Sequence, residues 1–239
     1  MVLTHYGRRE WLGALLIAVI LCAASVWSAY LFNVVIFYYL PILILFIWLC
    51  VAAFFRDPKR EIPSQMNAFL SPADGTVRDI DVVKNHEYKE IFRDHEVLKI
   101  GIFLSVFNVH LNRVPCDVTV KNVIYKEGKF YDARDSRATK ENESNALLAQ
   151  AHISGRNFPI VVKQISGAIA RRIVCPVNVG DSFKKGQKYG MIKFGSRTEI
   201  YMPNAQWVKL KLKIGDKLKA AQSIVAEIEP EGRKNEKKF

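Results

Sequence analysis

Hydrophobic positions are spread unevenly along the chain. From Trp11 to Phe55, 45 consecutive residues contain no Asp, Glu, Lys or Arg. A helix crossing the hydrocarbon core of a bilayer needs roughly 20 apolar residues. The run is too long for one crossing and long enough for two. Ser28, Tyr30 and Asn33 interrupt the aliphatics in "WSAYLFN". The pattern therefore predicts a helical hairpin, about 11–27 and 34–55, with residues 1–55 as a membrane anchor. Pro41 in the second span is tolerated where neighbours or water satisfy the freed carbonyl.

Beyond Arg56 the period shortens. "TVRDIDVV", "EVLKIGIFL", "DVTVKNVIY", "FPIVVKQI", "ARRIVCPV", "KYGMIKF", "TEIYMP", "WVKLKLKI" and "SIVAEIE" are short, β-branched and punctuated by Gly, Pro and Asp. They predict strands. One helix is predicted near Ser144–Gln150, "SNALLAQ", and the tail "GRKNEKKF" reads as disordered. There is also an internal repeat. Gly180, Asp181, Lys184 and Gln187 recur as Gly215, Asp216, Lys219 and Gln222, at a constant offset of 35. Each Gly-Asp pair signals a turn, and an apolar strand follows each copy. Such copies resemble the hairpins of lipoyl or biotinyl carrier domains. The expected fold is mainly β: a barrel-like sandwich with lipoyl/biotinyl-carrier-like hairpin repeats over residues 56–239, preceded by an N-terminal transmembrane helical hairpin.

Charge adds a direction. The formal net charge is +12, and basic residues flank the apolar run at Arg8, Arg9, Arg56, Lys59 and Arg60. The positive-inside rule then puts both ends on the cytoplasmic side of the cell (inner) membrane. A cleaved signal peptide has an apolar region of about 7–15 residues, far shorter than this one. Lys and Arg beside an anionic leaflet account for the basic balance. No nucleic-acid motif accompanies the charge, so no nucleic-acid partner is expected. Cys22 and Cys50 lie in the apolar run, and Cys116 and Cys175 stand alone. That spacing suits neither a zinc site nor a disulfide framework, and no metal is expected.

Candidate chemistry is sparse. His5 precedes the apolar run, His86 and His95 sit in a charged stretch, and His152 precedes "SGRNFP". His110 differs, standing at the end of an apolar strand in "IGIFLSVFNVHLNRVP"; a packed imidazole and a catalytic one both fit. Asp74 in "SPADGTV" is a good turn residue. Gly195–Ser196 interrupts the strand pattern of "KYGMIKFGSRTEIYMP". A glycine there costs backbone entropy and packs nothing, so it marks a bulge, a turn or a peptide bond with a chemical fate. Asp74, His110 and Ser196 make a trio in Asp…His…Ser order, and such a trio is recognised by geometry and role. Arg171, Arg172 and Arg197 could bind phosphate or carboxylate through the guanidinium fork. Solvation of a strand face explains them equally well, and they are not assigned as a site.

Seven stretches, in order, resemble the phosphatidylserine decarboxylase proenzyme family. They are "FFRDP" (54–58), "SPADGTV" (71–77), "FLSVFNVHLNRVP" (103–115), "EGKFYDA" (127–133), "ENESNALL" (141–148), "GAIARRIV" (167–174) and "GMIKFGSRTEIYMP" (190–203). The likeness is to the short, archaeal-type form. Longer members are similar to "HxxHMP" and "LGST" where this chain has "HLNRVP" and "FGSR".

The resemblance implies a self-processing, pyruvoyl-dependent decarboxylase that converts phosphatidylserine to phosphatidylethanolamine and CO2. The cut would fall at Gly195–Ser196, giving a β chain, 1–195, and an α chain, 196–239, that stay associated. Ser196 would attack the Gly195 carbonyl, with His110 as base and Asp74 orienting the imidazole. The ester so formed would eliminate, and hydrolysis would release ammonia and leave a covalent pyruvoyl group derived from Ser196. Its ketone would form a Schiff base with the substrate amine and act as an electron sink. Two other readings fit parts of the sequence. One is decarboxylation of another serine-headed lipid, such as an archaetidylserine. The other is a non-enzymatic membrane adaptor with a lipoyl-like domain, although the long heptad hairpin of such adaptors is not visible here.

Overall fold

The computed structural model describes residues 1–84, 86–135, 137–168, 172–193 and 195–231. Arg171 and the charged tail from Gly232, both read above, lie outside the described residues. The chain divides into two compact units, Met1–Lys59 and Arg60–Phe239.

The first unit is a pair of helices, α1 (Arg8–Phe32) and α2 (Ile36–Phe54). The spans His5–Phe32 and Ile36–Phe54 are each long and apolar enough to cross a membrane. Only 17% and 6% of their most apolar windows are buried by the rest of the chain, which is not how a core helix of a soluble protein behaves. The break falls later than the sequence pattern predicts. Trp27 to Phe32 continue α1, and Asn33 ends it in the left-handed conformation, φ +52°. Asparagine tolerates that conformation better than its aliphatic neighbours do. Ser25 Oγ donates to the Phe37 carbonyl (2.6 Å), tying the two helices together.

The second unit is β throughout, apart from single helical turns at Lys89–Phe92 and Ala138–Glu141. Its strands are β1 (Ala68–Leu70), β2 (Gly75–Val83), β3 (Val97–Leu104), β4 (Leu111–Arg113), β5 (Asp117–Lys126), β6 (Ser144–Ile153) and β7 (Arg156–Ser166), then β8 (Arg172–Val174), β9 (Ser182–Phe183), β10 (Lys188–Lys193), β11 (Ser196–Pro203), β12 (Val208–Leu210), β13 (Lys217–Leu218) and β14 (Ile224–Ile228). They form an eight-stranded sheet in the order β13-β2-β3-β11-β7-β6-β5-β9, and two three-stranded sheets, β1-β14-β12 and β4-β10-β8.

The helix predicted at Ser144–Gln150 is instead most of β6. Ala, Leu and Gln favour helix, but pairing on both edges, with β5 and β7, outweighs that preference. The stretch does not alternate because the sheet is covered on both faces here. Leu147 packs in the main core with Ile100, Ile102, Val162 and Ile200, and Leu148 packs on the opposite side with Val161 and Tyr201.

The internal repeat has a structural counterpart. Gly180 and Gly215 take φ of +92° and +94°, a region that favours glycine. Asp181 Oδ2 accepts from the Asn178 N–H, and Asp216 Oδ2 from the Lys213 N–H, both at 2.9 Å. The first turn exchanges backbone bonds with Val120 of β5, and the second with Val77 of β2. The partners are themselves related: "VPCDVTV" (114–120) answers "SPADGTV" (71–77). The two edges of the large sheet, β13-β2 and β5-β9, are thus built alike.

Candidate active site

Gly195 and Ser196 stand where β11 begins. Gly195 has φ +63°, left-handed backbone that disfavours any residue with a Cβ. Its carbonyl is packed against Gly167, where an added Cβ would lie 2.4 Å from the Gly195 oxygen. Ser196 is fully buried, in the middle of the sheet opposite Leu104 of β3 and Ser166 of β7. Its Oγ has no hydrogen-bond partner among the described residues, and neither has Ser166 Oγ. A buried hydroxyl without a partner costs about 1–3 kcal/mol, so this pair is a departure from ordinary core design.

His110 is also fully buried and meets this step directly. Its Nδ1 lies 3.0 Å from the Asn108 carbonyl oxygen, and its Nε2 accepts from the Gly195 N–H at 3.2 Å. A carbonyl can only accept, so Nδ1 carries the proton and Nε2 presents a lone pair. The imidazole is therefore neutral, with its basic nitrogen at the residue that precedes Ser196. Local sequence sets this up. Asn108 Oδ1 accepts from both the N–H and the Oγ of Ser105, and the Asn108 N–H donates back to the Ser105 carbonyl. That turn ends β3 and swings the chain so that His110 enters just ahead of β4.

Asp74 is buried, and its hydrogen bonds run elsewhere. Arg60 Nη2 donates to both carboxylate oxygens (2.9 and 2.8 Å), and the Ala220 N–H donates to Oδ1 (2.7 Å). The group held by His110 Nδ1 is Asn108, not Asp74. The second copy of the repeat explains the Ala220 bond: Asp117, the counterpart of Asp74, accepts from the Lys185 N–H at 2.8 Å in the same way. The turn held by Asp74 nonetheless borders the site. The Pro72 carbonyl accepts from the Arg113 N–H in β4 (2.9 Å). Gly75 lies against the carbonyl of Phe103, next to the residue that pairs with Ser196.

Other candidates fall into place around this core. Arg197 is buried and points away from its neighbour Ser196 to Asp79 and Glu199, at 2.6–2.8 Å. Gly101 makes room for its guanidinium across β3. Arg172 is exposed on β8. His86 bonds the His95 carbonyl, and His152 bonds Thr119 and Asn157. A cavity of about 330 Å³ opens on Gly195, lined by Phe103, Leu104, Ser105, Val106, Asp132, Ala133, Arg134 and Ala168. Arg134 also lines a second, charged cavity of about 500 Å³ with Arg78, Lys99, Lys140 and Arg197. Among the described residues no group of three or more His, Cys, Asp or Glu side chains could hold a metal ion.

Sequence reasoning missed Ser166, Gly167 and Asn108. Glycine directly after a buried strand, in "QISGA", was the available signal for the first two. Asn108 acts through a backbone carbonyl, which no residue type announces.

A glycine in left-handed conformation, a buried serine hydroxyl unbonded among the described residues and a neutral imidazole thus meet around one bond of the backbone. Residues 47–226 match the family model described as phosphatidylserine decarboxylase. Three relatives bear the name phosphatidylserine decarboxylase proenzyme. That of Geotalea uraniireducens is 45% identical over 181 residues, 76% of this chain and 80% of that protein. That of Geobacter metallireducens is 41% identical over 214 residues, 89% and 90%. That of Burkholderia pseudomallei is 41% identical over 178 residues, 74% and 78%. The chain belongs to the phosphatidylserine decarboxylase family.

Proposed function

We propose that this chain decarboxylates phosphatidylserine to phosphatidylethanolamine, using a pyruvoyl group that it makes from Ser196 by cutting itself at Gly195–Ser196. The observation that carries the reading is the arrangement around that one bond: left-handed Gly195, buried Ser196 with its Oγ unbonded among the described residues, and His110 Nε2 on the N–H of Gly195, one peptide before the cut. The site fits a group made in place, since no hydrogen bond among the described residues holds the Oγ that must be lost.

In the uncut chain Ser196 Oγ attacks the Gly195 carbonyl carbon and gives its proton to His110 Nε2, whose lone pair leaves the Gly195 N–H to take it. The carbon–nitrogen bond breaks, the nitrogen takes a proton, and an ester links the two residues. Gly195 keeps the carbonyl exposed to attack because it has no Cβ. Asn108 fixes the imidazole ring through Nδ1. Asp74 serves as a positioning residue: paired with Arg60, it holds the 71–77 turn against β4 and Phe103. The pyruvoyl ketone supplies an electron sink for loss of CO2. The cavity beside Gly195 admits the serine head group, and its apolar wall suits a glycerolipid; Arg134 on its lining is paired with Asp132, a bond a lipid phosphodiester would have to share.

The two chains, 1–195 and 196–239, stay together, because β11 pairs along its length with β3 and β7 of the other product. The β unit is read as a barrel-like sandwich with carrier-like hairpins, supported by the paired turns at Gly180 and Gly215. The apolar hairpin anchors the chain in the cell membrane, with the β unit on the cytoplasmic side.

Intact mass of the purified protein tests the reading. Two chains are expected, the smaller lighter by one ammonia than a 196–239 chain that starts with serine. A single chain of full mass that still decarboxylates phosphatidylserine would overturn it.

A further inference from the structure

We propose that Ser166 is a positioning residue for the self-cleavage: its hydroxyl donates to Ser196 Oγ and aims it at the Gly195 carbonyl, which Gly167 leaves room for. The inference rests on Ser196 being the nucleophile.

Ser166 and Ser196 are direct partners in the β7–β11 ladder. Residues opposite each other in an antiparallel pair share a face, with Cβ atoms about 4.5–5.5 Å apart. Both residues are fully buried, and both hydroxyls lack a partner among the described residues. Two unbonded hydroxyls facing each other at the scissile bond are better explained by each other than by chance. The backbone of Ser166 is already engaged. Its N–H donates to the Glu143 carbonyl (2.9 Å), and its carbonyl accepts from Asn142 Nδ2 (2.8 Å). The residue is therefore fixed, and only its hydroxyl is free to turn. On the same face of β7, Gln164 is buried but hydrogen-bonded to Asn112, and Val162 packs in the core, so Ser166 is the polar side chain there that an alanine or valine could replace without loss of a bond seen in the structure.

In the proposed arrangement χ1 of Ser166 turns its oxygen toward Ser196 Oγ, a reach that directly opposed residues with Cβ atoms about 4.5–5.5 Å apart permit. With Ser166 Oγ–H donating to one lone pair, Ser196 keeps a second lone pair for attack and its proton for His110 Nε2. No bond to Ser166 is made or broken. Gly167 completes the arrangement, since a Cβ there would lie 2.4 Å from the Gly195 oxygen and 3.3 Å from Ala133 Cβ.

The test follows the cutting of full-length chain made by cell-free synthesis with liposomes, read on a denaturing gel over time. Ser166→Ala is expected to slow cutting roughly 10- to 100-fold, the scale of a misaligned reacting group. Ser166→Thr keeps the hydroxyl and is expected to restore cutting to within a few-fold of the parent. The unfolding temperature of Ser166→Ala should stay within a few degrees of the parent's, since only one neutral hydrogen bond is lost; slow cutting by a variant of near-parent stability reports aiming, whereas a merely structural role would lower stability and cutting together. Gly167→Ala is expected to leave the chain uncut. Parent-like cutting by Ser166→Ala, or a Thr variant as slow as Ala, overturns the proposal. Ser196→Ala is run in parallel: if it is cut, the nucleophile is misassigned and the reading of the site fails, whatever Ser166 does.

Discussion

At the scale of single residues, the proposed self-cleavage depends on what two residues lack. Gly195 lacks a Cβ, and Ser196 Oγ lacks a hydrogen-bond partner among the described residues. Placing alanine at 195 puts an L side chain in the left-handed region, at a cost of roughly 1–2 kcal/mol. Gly195→Ala is therefore expected to fold but to cut slowly, which a denaturing gel would report as persistent full-length chain. His110 is the group whose loss should matter most. Removing a general base typically costs about 10²–10⁴ in rate, so His110→Ala should remain mostly uncut over hours. Rapid cutting of that variant would leave the proton on Ser196 without its assigned acceptor. Both positions were legible in the sequence for a physical reason. Glycine inside a strand and histidine at a strand end each break a local pattern, and a break is what a one-dimensional reading detects. Asn108 breaks no pattern, because its part is played by a main-chain carbonyl.

At the scale of elements, Asp74 shows how a residue singled out by chain order can make other contacts than that order suggests. Chain order suggested a carboxylate on the imidazole, but the carboxylate is engaged by Arg60 and the Ala220 N–H. The repeat provides an internal control. Asp117 makes the equivalent bond to Lys185 at the far edge of the sheet, beside no part of the site. Losing one partner of a buried ion pair typically costs about 3–5 kcal/mol, so Asp74→Asn should lower the unfolding temperature, and it should slow cutting because its turn abuts β4 and Phe103. Asp117→Asn should cost less stability, because its partner Lys184 is largely exposed, and should cut at the parent rate. Equal cutting by both variants would reduce Asp74 to a turn residue. The thiols are a second control. Burial pushes Cys175 up to about 11 and Cys116 further still. Both stay protonated at pH 8, so neither competes as a nucleophile, and a Cys116→Ala/Cys175→Ala variant should cut normally. The longer strands were largely readable from periodicity. The two- and three-residue β1, β4, β9 and β13 are too short to show a period, and β6 failed because a strand buried on both faces loses the alternation that identifies it.

At the scale of the whole molecule, the two units answer different solvents. The β unit gathers Phe69, Ile100, Ile102, Leu147 and Ile200 into a buried core, whereas α1 and α2 leave Leu16, Ile17, Ile42 and Phe46 more than half exposed. Such a surface is stable only against lipid or another apolar face. A two-helix hairpin returns the chain to the side it started from, so the side is set once, by the charges at its ends. Arg8, Arg9, Arg56 and Lys59 flank the helices; Arg60 adds to the count during insertion and pairs with Asp74 on folding. The positive-inside rule then predicts both termini in the cytoplasm. A phosphatase reporter that is active only after export, fused after Phe239, should be silent, and a reporter active only in the cytoplasm should be bright. Reversing the charge at Arg8, Arg9, Arg56 and Lys59 should weaken that preference. An exported reporter on the parent chain would mean a single crossing, and it would place Ser196 on the opposite side of the membrane from the one proposed here.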